Sequence, residues 1–237
     1  TVGEADVEDD GSFTVVVQPP LVDDEEYDVT AEDKDGNTSE PEIIVGDTTP
    51  PEKPFIEEVK NNFDDDGDVE STTITGKAEP GSTVEITDED GNVVGETTAD
   101  KDGNFEIMVE PALKDGENYE VTATDDHNNT SEPEIVVGDT EAPNISDITV
   151  EQWDTSDPAN GKFDEDTETV VTFTTDDPEA EYLVTDESGR EADNVTANGD
   201  GTYTAIFIPA LEGSSENNIK SVTVTGTDPY GNQASEK

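Results

Sequence analysis

With 237 residues, the chain has room for two or three modules of about 100 residues each. It carries 64 acidic against 10 basic residues, a formal net charge of −54, which excludes nucleic acid and anionic membrane surfaces as partners and invites cations instead. The absence of cysteine excludes disulfides, thiol chemistry and cysteine metal sites, and no apolar run approaches the roughly 20 residues of a membrane-spanning helix. Leucine occurs only at Leu21, Leu113, Leu183 and Leu211, while Val, Ile and Thr dominate, a composition that suits strands rather than helices. Charge and hydropathy alone place the chain near the disordered class. Its strict patterning argues for a fold, and the two together point to a fold whose charge must be neutralised.

The elements follow a repeat. The stretch from Asp33 through Asn37-Thr-Ser-Glu-Pro to Gly46-Asp47 returns as Asp125 through Asn129-Thr-Ser-Glu-Pro to Gly138-Asp139, an offset of 92 residues. At that offset Asp10-Gly-Ser-Phe13 falls on Asp102-Gly-Asn-Phe105, and Tyr27-Asp-Val-Thr-Ala31 on Tyr119-Glu-Val-Thr-Ala123. A diverged third copy carries Asp200-Gly-Thr-Tyr203, Ile208-Pro-Ala-Leu211 and Thr227-Asp-Pro-Tyr-Gly-Asn232 in the same order.

Residues 1–47 are expected to hold the last four strands of one repeat. In the complete copy, 48–138, alternation and turn residues predict strands over 55–59, 71–77, 83–87, 93–98, 105–109, 119–124 and 135–137. Seven short strands at this spacing is the count of an immunoglobulin-like sandwich. Residues 139–237 form the diverged copy, expected to stop inside its last strand. The linkers Asp47-Thr-Thr-Pro-Pro51 and Asp139-Thr-Glu-Ala-Pro143 are short and stiffened by proline. The expected fold is therefore all-β: tandem seven-stranded immunoglobulin-like β-sandwich domains in an extended rod. The first residue falls in mid-pattern, so the chain reads as a piece of something longer, with any targeting signal outside it.

The linkers, the Gly76-Lys-Ala-Glu-Pro-Gly-Ser-Thr-Val84 stretch, the Asp-Gly-Asn turns and the Ala-x-Asp-x-x-x-Asn-x-Ser loop at 123–131 resemble bacterial immunoglobulin-like repeats of giant surface adhesins and biofilm-associated proteins. The resemblance is close over 48–138, partial over 1–47 and loose over 139–237. It implies an extracellular, secreted stalk on the bacterial cell surface, serving cell adhesion or biofilm formation, with Ca2+ stiffening the modules. The third copy has Thr174-Thr-Asp-Asp-Pro-Glu179 in place of the Gly-x-Ala-x-Pro-Gly signature.

Calcium takes six to eight oxygen ligands. Residues Asn62, Asp64 and Asp66 stand at the first three ligand positions of an EF-hand-like loop, but its twelfth position is Thr73 and strands flank it, so it is no EF-hand. Loops such as Asp33–Asn37, Asp88–Asn92 and Asp100–Asn104 read equally as plain hairpin turns with glycine at positive φ. Sandwich topology gathers the second–third, fourth–fifth and sixth–seventh connections at the end where the chain enters. The first expected calcium set is thus Asp47 with Glu79, Asp100, Asp102 and Asp125; the second is Asp139 with Asp177, Asp200 and Asp228. Unneutralised carboxylates so close would repel or protonate.

No catalytic pattern emerges. His127, the one histidine, reads as a surface-loop residue, and acidic pairs among 64 carboxylates carry no information. Trp153 reads as a core or junction residue before a sugar-stacking platform. The leading expectation is a non-enzymatic, calcium-stiffened spacer whose partners are calcium ions and the adjacent repeats. The alternatives are a module at 144–237 that binds a host-surface or biofilm ligand, and acidity adapted to high salt without specific calcium.

Overall fold

The computed structural model describes residues 1–154, 167–208 and 219–237, and the side chains of all of these except 152–154 and 167. Leu211 and the side chain of Trp153 lie outside the described residues. The described residues form sixteen strands and no helix, so the chain is all-β, as expected for tandem immunoglobulin-like sandwiches. Two compact units are distinguished: residues 1–56, 76–105 and 120–135 in one, and residues 57–75, 106–119 and 136–237 in the other.

In residues 1–47 the strands are β1 (Glu26–Val29) and β2 (Glu42–Val45), paired antiparallel with Tyr27 opposite Ile44. Four strands were expected, and two form among the described residues. One of the two missing strands has a physical cause. The counterpart of 13–17 in the complete copy is β7 (Asn104–Val109), which is laddered to β4 (Val69–Lys77), and no residue of 1–47 corresponds to β4. Side chains that are core in one copy are accordingly open in the other: Phe105 is 5% exposed and Phe13 53%, Val136 4% and Ile44 42%.

Local hydrogen bonds nevertheless repeat faithfully. The Tyr27 hydroxyl accepts from the Val22 N–H (2.9 Å) and donates to Glu25, and Tyr119 does the same with Lys114 (3.1 Å) and Glu117. This is the tyrosine corner of immunoglobulin-like folds. Ser39 and Ser131 hydroxyls each accept from the N–H eight residues upstream, Ala31 and Ala123, both at 3.0 Å.

The complete copy adds β3 (Phe55–Phe63), β5 (Thr83–Thr87), β6 (Val93–Thr98), β8 (Asn118–Thr124) and β9 (Glu134–Val137), all within a residue or two of the predicted ends except β3, which runs on to Phe63. Its sheets are ordered β3-β4-β7 and β6-β5-β8-β9. Strict alternation along β7, with Phe105, Ile107 and Val109 buried between exposed neighbours, gives the period of two that a half-buried strand requires.

The third copy contains β10 (Ile145–Asp154), β11 (Thr167–Thr175), β12 (Glu181–Asp186), β13 (Asn194–Ala197), β14 (Thr202–Phe207), β15 (Val222–Thr227) and β16 (Gln233–Glu236), in sheets β10-β11-β14-β13 and β12-β15-β16. Ile145, Val171, Phe173, Ala205 and Phe207 from the first sheet meet Val184, Val222 and Val224 from the second in one core. The fourth strand changes sheet between copies. In the complete copy the Asp88–Asn92 turn folds β6 straight back on β5, with Thr83 opposite Thr98. In the third, Asp193 accepts from the Ile208 N–H (2.8 Å) and its own N–H donates to Ile206 (2.8 Å), so the chain crosses to β14.

Gly76, a buried position on β4, is glycine for a steric reason: a Cβ there would stand 2.3 Å from the Phe55 carbonyl oxygen and 2.7 Å from the Phe105 ring. The Gly76→Ala chain is expected to lose about 1–3 kcal/mol through overpacking. A melting curve that superimposes on the wild type would contradict this packing.

Candidate functional site

Each linker aspartate meets one Asp-x-x-x-Asn loop. In the first unit, Asp125 opens a turn in which its carboxylate accepts the N–H groups of His127 (2.7 Å) and Asn129 (2.9 Å) and the Asn129 amide (2.8 Å). Although partial desolvation opposes ionisation, these hydrogen bonds hold Asp125 below the usual carboxylate range. The same Asn129 amide reaches the Asp47 carbonyl at 3.3 Å. Asp47, Asp125 and His127 each offer a ligand atom within 4.8 Å of the others, and His127 Nδ1 lies 3.4 Å from Asp47 Oδ2.

This trio fits a divalent ion only in part. Two carboxylates suit calcium, whereas an imidazole nitrogen belongs to the transition-metal set. Of the other residues expected here, the Asp100 carboxylate accepts from the Asn104 side chain and from the backbone of Asp102 and Asn104, bonds that hold its pKa low. Asp102 pairs with Lys101 at 2.5 Å, and Glu79 accepts from the Ser82 N–H and hydroxyl through its carbonyl. Backbone bonds join loop 78–82 to loop 99–103 (Ala78 to Gly103, 2.9 Å; Gly81 to Ala99, 3.0 Å), but Glu79, Asp100 and Asp102 are not members of the Asp47 group.

In the second unit, burial pushes the Asp139 carboxyl above its ordinary value, reinforced by the negative charges of Asp228, Asp115 and Asp177. Oxygens of these four groups are oriented by backbone or amide donors. Asp139 accepts from the Glu141 N–H (3.0 Å), Asp115 from Thr140 (3.2 Å), Asp177 from Glu179 (2.9 Å), and Asp228 from Asn232 (2.8 Å). All-oxygen donors suit a hard cation, but among the described residues these carboxylates are not gathered within 4.8 Å of one another as the Asp47 group is. Asp200 instead accepts from the Thr202 N–H and hydroxyl, which lowers its pKa in an exposed turn.

The EF-hand-like segment is a tight hairpin. Asn62 lies in β3 and its amide donates to the Ser71 and Thr73 hydroxyls (3.0 and 2.9 Å). Asp64 accepts the N–H groups of Asp66 and Asp68, both at 2.9 Å, and Asp66 is exposed.

Sequence reasoning passed over three contributors. His127 reads from the sequence as a surface-loop residue. Asp115 had a readable signal, since it repeats Asp23 at the 92-residue offset and each bonds the first threonine N–H of its linker, Thr140 and Thr48. Asn61 had none, lying in a strand outside any repeated motif.

Comparison with known proteins adds the following. Residues 1–47 and 59–140 match the bacterial Ig domain family. Among solved structures, a biofilm-associated protein's BSP domain is 18% identical at a TM-score of 0.29, covering 78% of this chain and 28% of that one. Bovine butyrophilin is 14% identical at a TM-score of 0.29, covering 78% of this chain and 97% of that one. The chain thus spans little more than a quarter of the biofilm protein's structure. No curated protein matches it. Matched over more than half of its length, the chain belongs to the bacterial Ig domain family.

Proposed function

We propose that the chain is a run of non-enzymatic spacer modules from an extracellular bacterial surface adhesin, in which calcium at the Asp-Thr linkers stiffens the array for cell adhesion or biofilm formation. The observation that carries this reading is the twofold meeting of a linker aspartate with an Asp-x-x-x-Asn loop, Asp47 with Asp125 and Asp139 with Asp228. Membership of the bacterial Ig domain family supports the adhesin setting. Asp115, Asp139, Asp177 and Asp228 would hold the ion at the second linker, while Asp47 and Asp125 would hold it at the first. Bound calcium supplies positive charge that lets neighbouring carboxylates stay ionised without repulsion.

Chelation is expected to lower the melting temperature without abolishing strand content. At a calcium concentration 100-fold above its dissociation constant, each site adds about 2.7 kcal/mol. Asp47→Ala should leave the sandwiches folded yet broaden the distribution of maximum dimensions in small-angle scattering, resembling the wild type in EDTA. Superimposable curves for wild type, variant and chelated samples would remove calcium as the stiffener, and molar KCl replacing calcium fully would favour the high-salt reading.

The raised Asp139 pKa fixes a sign. Between the ordinary carboxyl value and the raised one, the folded chain binds more protons than the unfolded, so stability falls as pH rises through that window. Above that window the whole penalty is present. Asp139→Asn is therefore expected to melt higher than the wild type in EDTA at pH 7, and to gain less from added calcium. A lower melting temperature in EDTA would contradict the uncompensated charge.

A further inference from the structure

The second linker is gripped by a buried amide network that the cation reading leaves unused. Asn61, 3% exposed on β3, donates one amide hydrogen to the Asp139 carbonyl (2.6 Å) and the other to Asn232 Oδ1 (2.9 Å). Its own Oδ1 accepts from the Thr72 hydroxyl (2.9 Å), which in turn accepts from the Leu113 N–H (3.1 Å). Asn232, 2% exposed, donates to Asp228 Oδ2 (2.8 Å) and, in a longer bond, to the same Asp139 carbonyl (3.2 Å). The backbone joins in: the Asn61 N–H donates to the Tyr230 carbonyl (2.8 Å), and the Tyr230 hydroxyl to the Val137 carbonyl (2.9 Å).

Two physical points follow. Both amide hydrogens and the oxygen of Asn61 are satisfied inside the protein, which a buried amide requires. The Asp139 carbonyl receives two N–H donors, filling both lone pairs, so that oxygen needs no metal ion. The Asp-x-x-x-Asn turn alone is not what makes the site. Asp88–Asn92 and Asp100–Asn104 have the same internal bonds on exposed hairpins. What distinguishes Asp228–Asn232 is burial and an Asn oxygen turned to an outside donor.

We propose that Asn61 and Thr72 form a socket on one repeat that recognises the Asp-x-x-x-Asn loop of the next, and that this socket holds the linker carbonyl by amide hydrogen bonds without a cation. The partner class is a repeat of this chain's own kind, carrying a buried Asn at the end of that loop. The Asp125–Asn129 loop has the matching donors, with Asn129 half-buried: it donates to Asp125 (2.8 Å) and to the Asp47 carbonyl (3.3 Å). Among the described residues no hydrogen bond is donated to its Oδ1, the position that the Asn61 amide fills at Asn232. The inference rests on the spacer reading for its meaning and divides the labour at the second linker: amides fix the register, and a cation relieves the charge.

Amide hydrogen exchange of the whole chain tests this. In EDTA at pH 7 the protection of the Asn61 and Asn232 N–H groups is expected to stay within threefold of its value in calcium. Asn61→Ala should lower it at least tenfold at Asn232, while the Val84 and Val121 N–H groups of the β5–β8 ladder keep theirs. Should Asn61→Ala fail to fold, Thr72→Val and Thr72→Ser are compared instead: the first should lose the protection and the second, which keeps the hydroxyl, retain it. Collapse of wild-type protection in EDTA, or unchanged protection in Asn61→Ala and Thr72→Val, would overturn the socket. Scattering that is insensitive to calcium would sink the spacer reading while leaving these exchange results to stand or fall by themselves.

Discussion

A carboxylate in this chain rarely finds a cationic side chain, because 64 acidic residues share ten basic ones. The supply that remains is the backbone N–H and the side chains of Asn, Ser and Thr, and the fold is arranged around it. Asp33, Asp64, Asp88, Asp100, Asp125, Asp186 and Asp228 each accept an N–H within their own turn. Each such turn satisfies a carboxylate and closes a loop at once. Ion pairs such as Lys101–Asp102 and Lys114–Glu117 are exposed and contribute little beside this.

That arrangement explains which parts of the fold could be read in advance. The strands of the complete copy were legible because alternation and Asp-Gly turns are local signals. The 92-residue offset carried the tyrosine corner from Tyr27 to Tyr119. Strands that need a distant partner were not legible: residues 13–17 have the same alternation as β7 but lack a β4 to pair with. The fate of the fourth strand was hidden for a similar reason. Asp193 decides it by reaching the N–H of Ile208, a contact between segments 15 residues apart.

For the sites, the acidic residues were easy to list and hard to assign. Spacing brought Asp47 to Asp125 and Asp139 towards Asp228, since linker and loop are fixed by the sandwich. It could not reveal that Asp100 and Asp200 are consumed by their own turns. Nor could it find Asn61, whose role depends on a loop 171 residues away. The third copy illustrates the same limit. Having lost the glycine signature, it holds its 176–179 loop through the Tyr182 hydroxyl, which donates to the Asp177 carbonyl at 2.7 Å, and a cluster of Phe173, Tyr182 and Tyr203 with ring centroids 4.8 to 5.4 Å apart.

The closing of each repeat has a mechanical consequence. Gly138 both donates to the Glu117 carbonyl (2.9 Å) and accepts from the Gly116 N–H (2.8 Å), and Thr140 is bonded to Asp115. Gly46 is tied to Glu25, and Thr48 to Asp23, in the same way. Tension arriving along the linker is therefore shared with the loop preceding β8, or β1, before it reaches the end of the last strand. Freeing the linker therefore means breaking these bonds in addition to the ladder of the last strand. The last strands β2 and β9 are only four residues long, and these bonds extend each ladder past its end.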